Sequence, residues 1–265
     1  MQRQQPRITG IVLIAFVLIT GNVTRAAQPI RVLLLSGSNN HNWRKTTPCL
    51  AKILDPNDGF RVRVTEKPRA CTAEDFAVCD VIVSNWNAWG HTGPAATWPE
   101  ATREAFLDFI KRGGGHVTVH AGGSSLYDWP EYHRIAAAWG KKTSHGPLHT
   151  FQVNIVDPNH ALVRGLTSFA IHDELWNQPQ FPPDSHILMT AHSAKEYKGT
   201  GKAEPVLGVC QYGRGRCVNL MLGHDVKAMQ NPGFEALLRR SCRWAAKRDV
   251  QTGRKAPPQN PTGPN

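Results

Sequence analysis

A chain of 265 residues, of which 40% are apolar, can bury the core of one sizeable domain or two small ones, which excludes an extensively disordered protein. Its formal net charge of +11 comes from scattered Lys and Arg residues, without a basic patch interleaved with aromatic residues or a known nucleic-acid motif. We therefore expect no nucleic-acid partner and attribute the basic balance to solubility or weak attraction to anionic surfaces.

Residues 1–26 have the pattern of a signal peptide. Arg3 and Arg7 precede an uncharged, almost purely apolar run over residues 8–19, and Thr24 and Ala26 are small residues at cleavage spacing. The run is shorter than the roughly 20 residues of a membrane-spanning helix, although a retained N-terminal anchor is the alternative. We predict cleavage after Ala26, export to the periplasm or the cell exterior, and no integral membrane segment after cleavage.

The first half of the chain alternates short apolar runs with amphipathic segments. Residues 30–36, 60–65, 80–84 and 116–120 have the pattern of strands. Helices are predicted over residues 46–54, after Thr72, and from Pro99 to the glycines at 113–115. This alternation predicts an α/β fold with a parallel sheet and helices on both of its faces.

The second half is less regular. We predict a helix over residues 126–139, strands over 151–156, 187–190, 206–212 and 216–222, and a helix that begins at Asn231-Pro232 and ends near residue 247. The Pro- and Gly-rich segment beyond it is typical of disorder. The predicted organisation is one domain over residues 28–247 followed by a disordered tail over residues 248–265.

Six cysteines follow the predicted leader. Cys210 and Cys217 flank a turn-like segment, so we expect them opposite each other on neighbouring strands, where a disulfide is an open alternative. The sequence contains no CxxC motif, which argues against a zinc ribbon or a thioredoxin-type redox site.

Polar segments follow four of the predicted strands, at residues 37–43, 85–87, 120–125 and 223–225. Ligands of open parallel sheets bind at the carboxyl ends of the strands, and three of these segments bring a histidine there: His41, His120 and His224. Histidine suits proton transfer, metal ligation or hydrogen bonding to a ligand. His120 occupies the turn where an acyl-enzyme mechanism would need Ser or Cys, so no such mechanism is expected.

Several ordered motifs resemble those of the ThuA-like (trehalose-utilisation) family. After the opening strand and His41, they are found at residues 113–121 (GGGHVTVHA), 129–132 (WPEY), 144–145 (SH), 157–160 (DPNH), 172–176 (HDELW), 212–216 (YGRGR), 222–224 (LGH) and 244–245 (WA). The resemblance extends over about residues 30–246.

This resemblance implies a flavodoxin-like three-layer sandwich with a mainly parallel sheet, of the class I glutamine amidotransferase type. His120 stands where the amidotransferases have their cysteine, so thiolate hydrolysis of glutamine is not expected. The family also implies a link to disaccharide or glucoside catabolism, and a functional association with sugar oxidoreductases that produce 3-keto sugars.

The candidate site combines these residues. As catalytic groups we predict His120, Glu174 and His224, with His120 or His224 as general base and Glu174 as acid. The predicted ligand-binding residues are His41, Trp43, Asn85, Trp86 and His145. No cofactor is predicted. A divalent metal is an open alternative, and its ligands would come from separate loops, because the sequence has no helical His-x-x-x-His or Glu-x-x-His signature.

The function that these features favour is acid–base chemistry on a small-molecule carbohydrate: a disaccharide, a glucoside or its 3-keto form. One alternative is a sugar-binding or accessory protein without turnover, since the usual nucleophile of the fold is missing. A second alternative is a metal-dependent hydrolase. Whether the chain is an enzyme stays open at this point.

Overall fold

The computed structural model describes residues 28–250, so the predicted signal peptide and residues 251–265 of the predicted tail lie outside the described residues. Within this part of the chain, nine strands form one sheet and two short strands form a separate ribbon. The strands are β1 (Ile30–Leu35), β2 (Phe60–Thr65), β3 (Val81–Ser84), β4 (Gly115–Val119), β5 (Ser144–His145), β6 (His149–Ile155), β7 (Phe169–Asp173), β8 (Trp176–Asn177), β9 (His186–His192), β10 (Ala203–Tyr212) and β11 (Gly215–Leu220).

The large sheet has a parallel half and an antiparallel half. Its strand order is β2-β1-β3-β4-β11-β10-β9-β6-β7, and the first five strands pair in parallel. The remaining strands pair antiparallel, beginning with the β10–β11 hairpin. The sheet is therefore mixed, with the parallel half that the alternating pattern of the first half predicts.

Helices cover both faces of the parallel half, which gives the expected three-layer α/β sandwich. The helices are α1 (Trp43–Ile53), α2 (Ala73–Ala77), α3 (Glu100–Lys111), α4 (Val226–Met229) and α5 (Pro232–Ala245). In β1, Val32 and Leu34 pack in one core with α1 and α5, whereas Leu33 and Leu35 pack in a second core with α2 and α3. A strand buried on both faces reads as a continuous apolar run, as β1 does.

The prediction of a helix over residues 126–139 is wrong. This segment is a series of turns with a single 3-10 turn at Tyr132–Arg134, and Leu126 has a φ of +59°. Pro130 lacks an N–H donor, and a proline disfavours the helical conformation of the preceding Trp129. The apolar residues of this segment are instead buried against α3 as a folded loop.

Smaller differences concern the ends of elements. Helix α1 begins three residues earlier than predicted, and His120 lies outside β4 in a turn. Strand β7 was not predicted, although its alternating burial carries the signal of a half-buried strand. The predicted domain boundary at 247 falls three residues before the end of the described chain, where Val250 is buried.

Cys210 and Cys217 lie directly opposite each other on β10 and β11, as the turn between them predicts. Both are free thiols in this structure, and so are the other four cysteines, all of which belong to the described residues. The cross-strand placement is therefore confirmed, and the disulfide is not formed. The hydrogen bond with Cys210, and then burial, raise the pKa of the Cys217 thiol, which opposes formation of the reactive thiolate.

In the segment from residue 28 to residue 250, no helix combines the length and the apolar character that crossing a bilayer requires.

Candidate functional site

The carboxyl ends of the parallel strands lie in register. Leu35 pairs with Ser84, and Val119 pairs with Leu220, so the segments that follow these strands emerge side by side. Three of the segments carry His41, His120 and His224, and the centroids of the three rings lie 4.5–5.5 Å apart with their planes nearly perpendicular. The predicted convergence of these histidines is present in the structure.

His120 occupies a strained turn at the bottom of the site. Its φ of +45° is rare for a residue with a side chain and costs on the order of 1–3 kcal/mol. The next residues make the turn tight, because a Cβ on Gly122 would lie 2.1 Å from the carbonyl oxygen of Ser84. A Cβ on Gly123 would lie 1.8 Å from the carbonyl oxygen of Ala137. Only glycine fits at both positions, so the backbone holds His120 in place from two sides.

Both ring nitrogens of His120 face oxygen atoms. Nδ1 lies 2.8 Å from the carbonyl oxygen of Met221, which can only accept a hydrogen bond, so Nδ1 carries a proton. Nε2 lies 3.3 Å from Oε1 of Glu174. Burial lowers the pKa of His120, but the carboxylates of Glu174 and Asp173 and the Met221 carbonyl outweigh it, so the net pKa is raised.

Glu174 is the carboxylate at the centre of the histidine cluster. Its Oε1 accepts a hydrogen bond of 2.9 Å from Trp176 Nε1, and its Oε2 lies 3.2 Å from His145 Nδ1 and 3.7 Å from His224 Nε2. Burial alone would raise the pKa of this carboxyl, but the contacts with His120, His145 and His224 lower it by more, so the net pKa is about 2. The acid role predicted for Glu174 is disfavoured, because such a group carries no proton at neutral pH.

The pKa values of His41 and His224 are lowered, whereas that of His120 is raised. Burial, together with repulsion from His120 and His224, lowers the pKa of His41 to about 3. Burial and His120 also lower the pKa of His224. Both rings are therefore neutral at physiological pH and have a nitrogen lone pair available. Environments that separate the pKa values of neighbouring groups are a feature of acid–base sites.

Asp173, which the sequence analysis did not single out, anchors the loop of His224. It is fully buried, and its carboxylate accepts hydrogen bonds from the main-chain N–H groups of Gly223 at 2.7 Å, Glu174 at 2.8 Å and His224 at 3.0 Å. Burial raises the pKa of Asp173, while His120 and the three amide donors act against that shift. The available signal was the alternation of Phe169 and Ile171 with Ala170 and His172, which puts Asp173 on the same face as the two apolar residues.

A cavity of about 330 Å³ opens onto this cluster, at the lower end of the range for small-molecule sites. His41, Glu174 and His224 line it together with Trp89, Trp139 and Trp176. Trp139 stands at the end of the segment that was predicted as a helix, and its ring lies 5.6 Å from that of Trp89 and 5.1 Å from that of Trp176. The three indoles form an aromatic wall, which we call the tryptophan wall.

Three predicted ligand-binding residues lie outside this cavity. Trp43 and Trp86 line a separate depression of about 740 Å³, which does not include His41, Glu174 or His224. Trp86 is buried against Trp98, and Asn85 is buried with its amide nitrogen 3.1 Å from the hydroxyls of Thr46 and Thr47. The same loop instead supports the site through Asn87, whose amide nitrogen bonds the side-chain oxygens of Asn39 and Asn40 and the carbonyl of Ala121.

The donor set of the cavity fits a cation as well as a proton relay. One ligand atom from each of His41, Glu174 and His224 lies within 4.8 Å of the other two. His145 contributes a half-exposed ring at the rim, as the predicted ligand-binding role requires. Two neutral imidazoles and one carboxylate are ligands that first-row divalent metals accept.

The sequence profile of the ThuA family, described as trehalose utilisation, matches residues 31–245. The crystal structure of a ThuA-like protein from Parabacteroides merdae is 31% identical, with a TM-score of 0.73, over 84% of this chain and 92% of that one. A ThuA-like protein from Bacteroides uniformis is 20% identical, with a TM-score of 0.64, over 88% of this chain and 98% of that one.

A β-galactosidase from Rahnella sp. R3 has a similar fold over 83% of this chain and 32% of its own length, at 15% identity and a TM-score of 0.56. At that identity the likeness concerns the fold alone. No curated protein matches the sequence significantly.

Proposed function

The chain belongs to the ThuA family of trehalose-utilisation proteins, and from this membership and the geometry of its histidine cluster we propose that it cleaves a glycosidic bond by acid–base chemistry. The substrate class is a disaccharide or glucoside, most favourably one oxidised to a ketone at C3. The observation that supports the proposal best is His120, whose two ring nitrogens both face oxygen atoms, Met221 O and Glu174 Oε1. A doubly protonated ring next to Glu174, which itself lines the cavity, is suited to supply a proton to the site.

The proposed step uses the two sides of the Glu174 carboxylate. On the Oε2 side, where the neutral rings of His41 and His224 lie, a base removes the proton from C2, next to the ketone. The C–H electron pair forms the C1–C2 double bond, and the C1–O glycosidic bond breaks. The departing oxygen takes a proton from His120 on the Oε1 side, so an alcohol and an unsaturated keto sugar are released. Glu174 stabilises the charge on His120 before the transfer.

The tryptophan wall supports a carbohydrate ligand. Trp89 is 44% exposed although it is a large aromatic residue, and it stands against Trp139 at the mouth of the cavity. A flat indole buries the apolar C–H face of a sugar ring while polar groups meet its hydroxyls. A reaction that oxidises C3 of a sugar must supply the proposed substrate, which is the task of a sugar oxidoreductase acting earlier.

The test is a proton NMR time course of the full chain with trehalose and with 3-keto-trehalose. Product should form from the keto sugar, and the rate should fall by at least about 100-fold in His120→Gln and in Glu174→Gln. The matched controls are His192→Gln, an exposed histidine, and Glu204→Gln, a buried glutamate bonded to Gln178 N and Thr200 Oγ1, and both should keep the wild-type rate. Unchanged sugar signals in every sample would overturn the proposal.

Export is part of the proposal and rests on the charge and hydropathy pattern of residues 1–26. Expressed from its full gene in a Gram-negative host, the protein should be recovered from the periplasm or the medium with Ala27 as its first residue, as intact-mass analysis would report. A cell-associated protein that begins at Met1 would contradict export without affecting the proposed chemistry.

A further inference from the structure

Nitrogen and oxygen lone pairs converge at the bottom of the cavity. The main-chain N–H and ring Nδ1 of His41 lie 2.9 and 3.0 Å from Asn39 Oδ1. The amide of Asn39 cannot be reversed, because its nitrogen donates to the carbonyl of Asn85 at 2.8 Å. Nδ1 of His41 therefore carries the proton, and the lone pair of its neutral ring is on Nε2.

His120 does not belong to this set of lone pairs. With Nδ1 donating to the Met221 carbonyl, a neutral ring would direct the Nε2 lone pair at the carboxylate of Glu174, 3.3 Å away. Two acceptors held this close inside the protein repel each other, so Nε2 carries a proton and faces Oε1. The lone pairs that remain for a cation are those of His41, His224 and Oε2 of Glu174.

We propose that the site binds one first-row divalent cation through His41, His224 and Oε2 of Glu174, with at least one position open to water or substrate. The ligand atoms of these three residues lie within 4.8 Å of one another, and His224 Nε2 is 3.7 Å from Oε2. Two ligand atoms each about 2.1 Å from a tetrahedral zinc ion are roughly 3.4 Å apart, so the pair of His224 and Glu174 is close to that spacing, and the set as a whole closes with side-chain shifts of up to about 1.4 Å. A site with three protein ligands and an open position is typical of catalytic metal centres.

The surroundings of the three ligands fit this role. Oε1 of Glu174 is held by Trp176 Nε1 at 2.9 Å, which directs Oε2 at the histidines. Asn39 fixes the ring of His41, and Asp173 fixes the main chain at His224. Hydrogen bonds of this kind orient metal ligands and select the tautomer that coordinates. The ligands themselves come from three loops at the sheet edge, in agreement with the absence of a helical metal motif in the sequence.

The cation also has a role in the proposed cleavage of a glycosidic bond, and this part of the inference rests on the proposed function. Water held at the open position loses a proton at neutral pH more readily than free water does, so it provides the base on the Oε2 side. The ketone oxygen of a 3-keto sugar is also a suitable ligand for that position. His120 stays on Oε1 and remains the proton donor.

The test measures the metal directly and needs no sugar. The full chain, stripped with a chelator and dialysed, is titrated with Zn²⁺ in competition with a chromophoric chelator. We expect one zinc ion per chain, and a loss of affinity of at least 100-fold in His41→Ala and in His224→Ala, while His192→Gln binds as the wild type does. Co²⁺ should give the visible absorption bands of a protein-bound cobalt ion in the wild type and not in the two ligand variants. This readout still distinguishes the variants where their zinc affinities are too low to be obtained from the titration.

Binding that is absent in the wild type, or unaffected by both ligand substitutions, would overturn the metal site. The sugar assay separates this failure from that of the proposed function. Stoichiometric zinc binding without turnover of either sugar retains the metal site and rejects the glycoside chemistry. Turnover that persists in the stripped protein, together with no zinc binding, rejects the metal site and retains the glycoside chemistry.

Discussion

The ring of His120 and the carbonyl of Met221 are joined by a hydrogen bond of 2.8 Å across the ends of two neighbouring parallel strands. Because Val119 and Leu220 are register partners, each of the two residues stands one position beyond its strand. The bond fixes the ring with Nε2 towards Glu174, so the sheet register itself sets the geometry of the site. The turn that places His120 there should be intolerant of added atoms.

Gly122→Ala should disrupt this turn. Its Cβ would lie 2.1 Å from the Ser84 carbonyl oxygen, a main-chain atom that cannot move away without shifting β3. We expect a loss of unfolding free energy of about 2–4 kcal/mol and no measurable turnover. Gly165→Ala is the control for an uncrowded glycine: its φ of +72° imposes a conformational cost that Gly122 does not have, and nothing lies within 4 Å of the new Cβ. Urea denaturation of both variants gives the comparison, and a loss at Gly122 smaller than that at Gly165 would show that crowding at residue 122 costs little.

Asp173→Asn should loosen the loop of His224. Three main-chain N–H groups point at the two carboxylate oxygens, so an amide NH₂ must face at least one of these donors. Hydrogen bonds to charged groups contribute about 1.5–3 kcal/mol each, and we expect a destabilisation of about 2–4 kcal/mol. Asp128→Asn, at a partly exposed pair with Arg103, should cost less than about 1 kcal/mol. Thermal unfolding of both variants checks this, and an unchanged Asp173→Asn protein would contradict it.

The sequence predicted the parallel half of this fold better than the antiparallel half. Both β1 and α3 could be predicted from their own residues. A strand covered on both faces must be apolar throughout, as β1 is, and α3 has apolar residues at helical spacing. The helix predicted over residues 126–139 was wrong, because a Pro-containing loop buries its apolar residues by tertiary packing without a helix. An apolar residue in a sequence indicates burial, and a loop can bury it as well as a helix can.

From the sequence alone, only those site residues could be predicted that directly follow a parallel strand. His41, His120 and His224 follow from the rule for parallel sheets. Glu174 lies after β7, at the far end of the strand order, but the neighbouring Asp173 accepts a hydrogen bond from Gly223 in the loop after β11, so Glu174 lies at the cluster. No local pattern encodes this long-range contact, and the motif shared with the ThuA family was the only pointer to Glu174.

Asn39→Ala should weaken zinc binding without removing a ligand. In the wild type Asn39 Oδ1 holds Nδ1 of His41 at 3.0 Å. Without this contact the imidazole ring of His41 can rotate, or can carry its proton on Nε2, and in either state it does not coordinate the metal. Loss of such an orienting partner lowers metal affinity by roughly 10–100-fold. Chelator competition measures the change, and Asn57→Ala, in an exposed turn, should leave the affinity unaltered. A loss in Asn39→Ala that persists in a His41→Ala background would show that Asn39 acts by another route.

Trp89→Ala should weaken sugar binding, and Trp43→Ala should not. Trp89 lines the histidine cavity, whereas Trp43 lines the separate depression and stacks on Arg44 at 4.2 Å. Loss of one aromatic stacking surface should lower affinity by about tenfold, or ~1.4 kcal/mol. Calorimetric titration of the Glu174→Gln background with 3-keto-trehalose avoids turnover during the measurement. A larger effect at Trp43 would place the ligand in the depression that Trp43 and Trp86 line, in accordance with the ligand-binding role predicted for these two residues.

His116→Leu should make the protein less sensitive to acid. His116 on β4 is fully buried beside Phe106 and Tyr132, and within the described chain neither ring nitrogen has a hydrogen-bond partner. Burial lowers its pKa to about 3, whereas the unfolded chain binds this proton near pH 6.5. The stability that depends on the neutral ring is therefore complete above pH 6.5 and is lost progressively as the pH falls towards 3.

Between pH 7 and pH 5 this single group should remove about 2 kcal/mol from the free energy of unfolding of the wild type. The leucine variant lacks the group, so its stability should decline less over the same interval by about that amount. Urea denaturation at a series of pH values gives both curves, with the exposed His192→Leu as the control that keeps the wild-type slope. Parallel curves for the wild type and His116→Leu would mean that His116 is protonated in the folded protein, and its burial among aromatic rings would then require a partner.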